Sequence, residues 1–393
     1  MRKIIHIFPN RDASTENFRL CNDKEFSVNF HDPAEIWGGM AAAAVVLPQA
    51  IAFGVALLLP FGFNPSAGAI AGLIGAAALG FVSGISGGTL GLISSSTGPV
   101  LILLGGALAS LVNAGLARAD VLAGLSTILM VTGVTQIIIG IPGGGRLIKF
   151  MPCLVVAGFM SGSALLMILS QVKTLSSGSD ISSGWEIWHL IPIATTAITL
   201  ALVAYMLRII PAIPGTIVDL IGGTIVLQGF ILFVSTPIPE IWIIGALPGP
   251  ESIEIIFTVS AVRELPWTTI IASALAILAS FNTLLTSVIA DIGTGVRHNA
   301  KRELIGQGAG QIASGIFGGM AGSGTTGATL VAVKAGGRRW AGISAGLSFI
   351  LLVLVGGPIG YVLPISVLAG IILYVAIRML EKDIFAWLNG KSC

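Results

Sequence analysis

Two small, polar segments, each followed by an apolar run, decide the fold of this 393-residue chain. The first segment is Ser94-Ser95-Ser96-Thr97-Gly98-Pro99-Val100. The second segment is Gly322-Ser323-Gly324-Thr325-Thr326-Gly327-Ala328-Thr329. Each predicts a strand-like stretch that leads into a half-helix, and Pro99 suits the first turn of a helix. Because unwound backbone is tolerated at membrane depth only beside a cavity or inside protein, such segments indicate a binding site.

The composition places these segments in a membrane protein. Hydrophobic residues make up 54% of the chain, charged residues make up 10%, and the mean hydropathy is +0.96. Soluble domains carry about 25% charged residues, so the soluble and disordered classes are excluded. The net charge of +2 says little about partners, and we expect no nucleic-acid partner. Three scattered cysteines predict neither a disulfide framework nor a zinc site. We expect an integral, all-α membrane protein in contact with the lipid bilayer.

About twelve apolar runs approach the roughly 20 residues that a helical span requires. The predicted spans are 34–54, 66–84, 98–111, 120–140, 151–171, 187–207, 215–234, 267–291, 303–320, 326–334, 340–356 and 358–377. The third and tenth of these are too short to cross a bilayer alone. Residues 1–33 are polar and mixed in charge, which predicts a cytoplasmic segment without a cleaved signal peptide.

The distribution of lysine and arginine supports this topology. With the N-terminus in the cytoplasm, 17 of the 20 basic residues fall in cytoplasmic segments. The three exceptions are Arg118, Lys173 and Arg263. This bias follows the positive-inside rule, and adding or removing one span would destroy it. We therefore expect a multi-pass protein of the inner (plasma) membrane with both termini in the cytoplasm.

The two short spans run in opposite directions in this topology, so their N-termini can face each other. Free backbone N–H groups and the positive ends of the helix dipoles suit an anion. The hydroxyls of Thr97, Thr325 and Thr326 could add donors. An alternative reading is that these small residues only permit close helix packing.

Other polar residues lie in neighbouring spans. Asn282 and Thr286 are four residues apart and therefore share one helical face. They could line an ion pocket or bond to a neighbouring helix. Pro48-Gln49 interrupts the first span. No catalytic constellation stands out, so we do not expect an enzyme.

Several motifs together resemble the sulfate permease (SulP) family, which is solute carrier family 26 in animals. The resemblance covers about residues 32–383. The motifs are Leu47-Pro48-Gln49-Ala50-Ile51-Ala52-Phe53-Gly54, Ser96-Thr97-Gly98-Pro99, Leu285-Thr286-Ser287-Val288-Ile289-Ala290-Asp291, Glu303-Leu304-Ile305-Gly306-Gln307-Gly308 and Gly318-Gly319-Met320-Ala321-Gly322-Ser323-Gly324. Among the branches of the family, they are most similar to the cyanobacterial sodium-dependent bicarbonate transporters.

The resemblance implies two inverted repeats of seven spans, in which a core domain slides against a gate domain in an elevator-like motion. Residues 34–235 would form the first repeat, 236–266 an extracytoplasmic connection, and 267–380 a second repeat with five spans. Residues 381–393 would form a cytoplasmic tail, with no STAS domain. The second repeat thus looks truncated. We expect either a homodimer or a separate chain that supplies the missing last helices.

The resemblance also implies the site residues. Substrate contacts would fall at Thr97, Gly98, Gly324, Thr325 and Thr326, with Gln49 and Phe53 lining the pocket. A cation-coupling set would comprise Asn282, Thr286, Gly324 and Thr326.

Two positions of the site depart from the family pattern. The sodium-dependent relatives carry an aspartate at the position of Asn282. Because a hard cation prefers a carboxylate, we expect transport that is not strictly sodium-dependent, and coupling to Na⁺ or H⁺ stays open. Many sulfate-type members carry an arginine where this chain has Ala328, which argues against a divalent anion held by a fixed charge.

These observations predict a secondary transporter of small inorganic anions, without a cofactor or a certain metal site. Bicarbonate is the first expectation, and sulfate or a small dicarboxylate is the next. Two alternatives remain: an anion channel or non-transporting sensor of the same family, and a nucleobase transporter of the same architecture. The last would need a mid-membrane carboxylate, which the positions of Asn282 and Ala328 do not provide.

Overall fold

The fold consists of helices around one short strand pair. A computed structural model describes residues 33–113, 115, 117–145, 153–176, 194–201, 205, 221–225, 229, 244, 266–355 and 364–379. The predicted N-terminal segment 1–33, connection 236–266 and tail 381–393 lie outside these residues, apart from Pro33, Ile244 and Pro266. The predicted spans 187–207 and 215–234 are covered only in part, and 194–201 and 221–225 are helical.

Two sets of helices flank residues 177–265. The first set is α1 (Pro33–Leu58), α2 (Pro65–Ser86), α3 (Gly98–Asn113), α4 (Arg118–Gly140) and α5 (Cys153–Ser176). The second set is α6 (Pro266–Thr294), α7 (Ala300–Ile316), α8 (Thr326–Lys334), α9 (Ala341–Val355) and α10 (Ile365–Met379). A 3-10 turn over Leu59–Phe61 follows α1. The predicted all-helical membrane fold is confirmed.

Two details differ from the sequence-based expectations. Pro48 does not interrupt the first span, because α1 is one helix of 26 residues with Pro48 inside it. A proline removes one backbone hydrogen bond, which membrane helices tolerate where neighbouring groups satisfy the freed carbonyl. Helix α7 ends at Ile316 rather than at 320, and Gly318 there has a φ of 70°. The start of the predicted span 358–377 lies outside the described residues.

The two polar segments pair with each other as antiparallel strands. Strand β1 (Ser94–Ser95) faces β2 (Ser323–Gly324), with Ser94 opposite Gly324 and Ser95 opposite Ser323. Helices α3 and α8 begin within three residues of their strands, so their N-termini meet at the pair and the helices leave in opposite directions. The strand-like stretches leading into half-helices are thus observed. We call this strand pair with the two helix N-termini the crossing.

Glycines bring the surrounding helices into close contact. A Cβ on Gly68 of α2 would lie 2.6 Å from the carbonyl oxygen of Gly54 on α1. A Cβ on Gly84 of α2 would lie 2.7 Å from the backbone nitrogen of Ile343 on α9. Such close backbone approach is typical of packed membrane helices, where apolar side chains gain nothing by leaving lipid.

The outer surface is apolar. The four helices that are long and apolar enough to cross a membrane in the described part are 33–61, α2, 120–140 and 269–294. Large apolar side chains on the outer helices are more than half exposed, among them Leu165 and Leu169 on α5 and Leu351 on α9. Lipid acyl chains can cover such side chains, as a multi-pass membrane protein requires.

The contact between α1 and α2 gives a stability prediction. Replacing Gly68 with alanine should lower the thermal unfolding temperature of the purified protein, because the added methyl meets rigid backbone of α1, a cost of about 1–3 kcal/mol. The matched control is Gly106→Ala in α3, where a Cβ would meet no atom within 4 Å. That variant should be as stable as the parent or more so, by up to about 1 kcal/mol. Equal effects of both changes would contradict the packing argument.

Candidate functional site

One face of α6 contacts the crossing through short polar side chains. The side-chain nitrogen of Asn282 donates to the hydroxyl of Ser323 at 2.7 Å and to that of Thr97 at 3.3 Å. The hydroxyls of Thr97 and Ser323 lie 2.8 Å apart and share a hydrogen bond. Through this nitrogen, Asn282 ties α6 to both polar segments.

One turn further along α6, Thr286 contacts the second segment. Its hydroxyl lies 3.1 Å from the carbonyl oxygen of Gly324 and 3.0 Å from the hydroxyl of Thr326. The same hydroxyl donates to the backbone carbonyl oxygen of Asn282 at 2.9 Å. The structure thus brings together all four members of the proposed cation-coupling set. Their oxygens are neutral, and among the described residues no group of three His, Cys, Asp or Glu could hold a metal ion.

The opposite side of the crossing rests on α7. Gln311 donates to the carbonyl oxygen of Gly322 at 2.6 Å and accepts from the backbone N–H of the same residue at 3.3 Å. Gln307 donates to the hydroxyl of Ser94, and Ser314 donates to the carbonyl oxygen of Met320 at 2.7 Å. One helix therefore contacts both segments, the second through its backbone at Gly322 and the first through the side chain of Ser94.

The carboxylate of Glu303 extends this polar face of α7. It is 1% exposed, and it accepts hydrogen bonds from the backbone N–H of Gly88 at 2.8 Å and from Gln307 at 3.1 Å. Sequence reasoning missed the supporting role of these residues. The available signal was the spacing of Glu303, Gln307, Gln311 and Ser314, which places four polar side chains on one helical face.

Several hydroxyls at the crossing make no hydrogen bond within the described part of the protein. They are Ser95 Oγ, Ser96 Oγ and Thr325 Oγ1, and Gln307 Oε1 is also unpaired. Buried polar groups are rarely left without a partner, so these atoms indicate sites for water or a polar ligand. Thr325, one of the predicted substrate contacts, is 8% exposed and supplies one of these unpaired hydroxyls.

The two helix N-termini differ in access. Gly98 and Pro99 at the start of α3 are buried, whereas Thr326 is half-buried and Gly327 is exposed at the start of α8. A Cβ on Gly327 would meet no atom within 4 Å. The first N–H groups of a helix have no acceptor within it, so the α8 end presents free donors beside an open space.

The remaining predicted residues lie on α1. Phe53 is completely buried and belongs to the same hydrophobic cluster as Val100 and Ala328, one residue from each helix of the crossing. Gln49 is half-buried one turn before Phe53. Among the described residues, no hydrogen bond joins Gln49 to the crossing, so its role in lining the pocket stays a prediction.

Comparison with known proteins places the chain among transporters. Residues 33–390 match the model of the sulfate permease family. The bicarbonate transporter BicA of Picosynechococcus sp. (strain ATCC 27264 / PCC 7002 / PR-6) is 34% identical over 367 residues, which cover 88% of this chain and 62% of BicA. The putative sulfate transporter YbaR of Bacillus subtilis (strain 168) is 28% identical, and the matched region covers 66% of its length. The chain thus spans about three fifths of the length of the curated relatives it matches.

Solved structures show the same fold. The transmembrane domain of a cyanobacterium bicarbonate transporter, BicA, superimposes with a TM-score of 0.75 at 30% identity, and 91% of each chain is covered. The murine anion transporter Slc26a9 in the inward-facing state gives a TM-score of 0.74 at 18% identity, covering 98% of this chain and 68% of that one. With a family match over nearly all the described residues and a shared transmembrane fold, the chain belongs to the sulfate permease family.

Proposed function

We propose that this chain is a secondary active transporter of small inorganic anions, with bicarbonate as the first candidate. The observation that carries the proposal is the crossing, where two opposed helix N-termini meet at a buried strand pair lined by hydroxyls. The relatives that carry the name bicarbonate transporter, at 34% and 33% identity, support the choice of anion.

The electrostatics of the crossing favour a singly charged anion. The side chains that meet there, Thr97, Asn282, Thr286, Ser323 and Thr326, are all neutral. Attraction therefore comes from backbone N–H groups and from the helix dipoles, each worth about half a unit charge. Bicarbonate carries one negative charge and one O–H donor, so it can accept from the N–H groups of α8 and donate to a neutral oxygen. Sulfate carries twice the charge and has no such donor.

The packing is compatible with an elevator-like mechanism, which we include in the proposal. Helices α2, α3, α4, α6, α7, α8 and α9 pack on one another and carry the crossing, whereas α10 packs on α5, which also contacts α3. The first group, together with α1, would move as the core, and α5 and α10 would belong to the gate. We place the protein in the inner membrane with its termini in the cytoplasm, as the basic residues predict. The exposed leucines of α5 would face lipid, a second copy or a separate chain.

Uptake into proteoliposomes tests the function. The purified protein would be offered labelled bicarbonate, sulfate and succinate, with and without a sodium or pH gradient. Uptake that saturates with bicarbonate and is competed by unlabelled bicarbonate supports the proposal. A flux that rises in proportion to concentration would instead indicate a channel, and no flux of any of the three anions would contradict transport.

Thr326 tests the position of the anion. Thr326→Phe should abolish bicarbonate uptake, because the bulky ring fills the open space beside the N-terminus of α8. The matched control is Leu347→Phe on α9, at a side chain that is 57% exposed, and it should transport like the parent. Both variants should reach the membrane in equal amounts. Unchanged uptake kinetics in Thr326→Phe would remove the assignment of the site.

Asn282 tests the coupling ion. Replacing sodium with choline should change the initial uptake rate of the parent by less than about tenfold, or about 1.4 kcal/mol, because Asn282 offers no charge to a cation. Asn282→Asp adds a carboxylate beside the oxygens of Thr286, Gly324 and Thr326, and it should make uptake sodium-stimulated. The control is Asn299→Asp at the exposed N-cap of α7, which should leave the sodium response unchanged. Strict sodium dependence of the parent would refute this prediction.

Two buried glutamines, Gln311 on α7 and Gln136 on α4 as its control, test whether α7 supports the crossing. Gln311→Leu leaves both backbone groups of Gly322 unpaired, at a cost of about 1–3 kcal/mol each, and should lower both the unfolding temperature and the apparent affinity for the anion. Gln136 on α4 is equally buried, but its side-chain nitrogen and oxygen have no partner in the described part of the protein. Gln136→Leu should therefore be neutral or stabilising. If the two changes destabilise equally, the hydrogen bonds of Gln311 do not hold the crossing.

A further inference from the structure

Two arginines cap the C-terminal end of α2. Arg302 donates through Nε to the carbonyl oxygen of Ser86 at 3.1 Å. Arg339 donates through its two terminal nitrogens to the carbonyl oxygens of Gly87 and Ile85, at 3.1 and 2.8 Å. The last carbonyls of a helix carry partial negative charge, which explains why cations gather there. We call Arg302, Arg339 and the end of α2 the arginine corner.

The corner holds two like charges close together. Burial lowers the pKa of Arg339 below its ordinary value, and the neighbouring charge of Arg302 lowers the pKa further. The carboxylate of Glu303 offsets part of this repulsion, but its hydrogen bonds point inward to Gly88 and Gln307. The terminal nitrogens of Arg302, an exposed side chain, make no hydrogen bond within the described residues. The pair therefore has unused donors and uncompensated positive charge on its outer side.

Within the part of the chain that the structure describes, the surroundings of the corner add positive charge. Arg297, Lys301 and Arg338 are exposed and close to the two arginines in sequence, and Arg338 donates to the carbonyl oxygen of Thr294 at 3.4 Å. Two described acidic side chains are already paired: Asp291 with His298 at 2.6 Å, and Glu35 with the backbone N–H of Trp340 at 3.0 Å. The described residues thus favour an anion at the corner.

Apolar side chains border the same corner. Ile85, whose carbonyl oxygen binds Arg339, is 48% exposed. Trp37 is 64% exposed in the first turns of α1, next to Gly38, whose Cβ would lie 2.7 Å from Gly337. Exposed tryptophan is typical of the membrane–water interface. Helix α2 is long and apolar enough to span a bilayer, so we expect its end to lie at the depth of the lipid headgroups.

We propose that Arg302 and Arg339 bind the phosphate headgroup of an anionic phospholipid, whose acyl chains lie along Ile85 and Trp37. The planar guanidinium groups match phosphate oxygens with paired donors. A bound headgroup relieves the repulsion between the arginines and holds the end of α2, from which residues 87–93 lead directly into β1. The lipid would therefore stabilise the crossing. This inference does not depend on which anion is transported.

Lipid-dependent unfolding of the purified protein in detergent tests the proposal. Dioleoylphosphatidylglycerol should raise the unfolding temperature by several degrees over dioleoylphosphatidylcholine, as binding to the folded state alone requires. In Arg302→Gln, the concentration of phosphatidylglycerol that gives half of the rise in unfolding temperature should increase about fivefold or more. This is the change expected for the loss of one cation beside an anionic lipid. Each variant is compared with its own phosphatidylcholine baseline, so a general loss of stability does not affect the result.

Two further variants keep the test specific. Arg302→Lys keeps the charge but loses the paired donors, and it should show a smaller increase in the lipid concentration required. Lys334→Gln removes an exposed cation at the end of α8 that is not a member of the arginine corner, and it should behave like the parent. Equal losses in Lys334→Gln and Arg302→Gln would indicate diffuse attraction and overturn the site. Equal stabilisation by inorganic phosphate would show that the arginines bind a free anion, which would overturn the assignment to lipid.

Discussion

The pairing of two short strands between opposed helices is the constraint on which the rest of the structure depends. Inside a membrane, each backbone N–H and C=O must find a partner within the protein. Residues 94–97 and 322–325 are not helical, and they meet this requirement in part through the strand pair, as in the bond from the N–H of Thr325 to the carbonyl oxygen of Ile93 at 2.8 Å. Side chains of α6 and α7 supply further partners, such as Gln311 for Gly322 and Thr283 for Gly324. The helix N-termini that follow are then fixed at the strand pair.

Such a pair needs support from both sides, and the neighbouring helices supply it differently. Helix α6 contributes the short side chains of Asn282, Thr283 and Thr286. Helix α7 contributes longer amides, and Gln311 holds the backbone of Gly322 directly. The α6 contacts are thus made by short neutral groups, and the α7 contacts by longer glutamine side chains.

The crossing and the arginine corner differ in the kind of positive charge that they offer to an anion. At the crossing, ligand charge would be balanced by helix dipoles, which suit a monovalent anion that must also be released. At the end of α2, full charges meet the partial charges of the last carbonyls, and two guanidinium groups remain in excess. The loop 87–93 joins these places, and Glu303 links them through Gly88 and through Gln307, which donates to Ser94.

The sequence by itself determined the membrane class, the half-helices at Gly98 and Thr326, and the polar face of Asn282 and Thr286, because composition and helical period are local properties. It misplaced the interruption at Pro48 and the end of α7, since proline and glycine signals do not reveal what neighbouring helices satisfy. Only the tertiary structure decided that Ser323 meets Thr97 and Asn282, and that Gln311 holds Gly322. Those contacts join residues from separate elements of the chain. The distance between such elements is set by the packing of the helices, through glycines such as Gly54 and Gly68, rather than by the sequence pattern within any one of them.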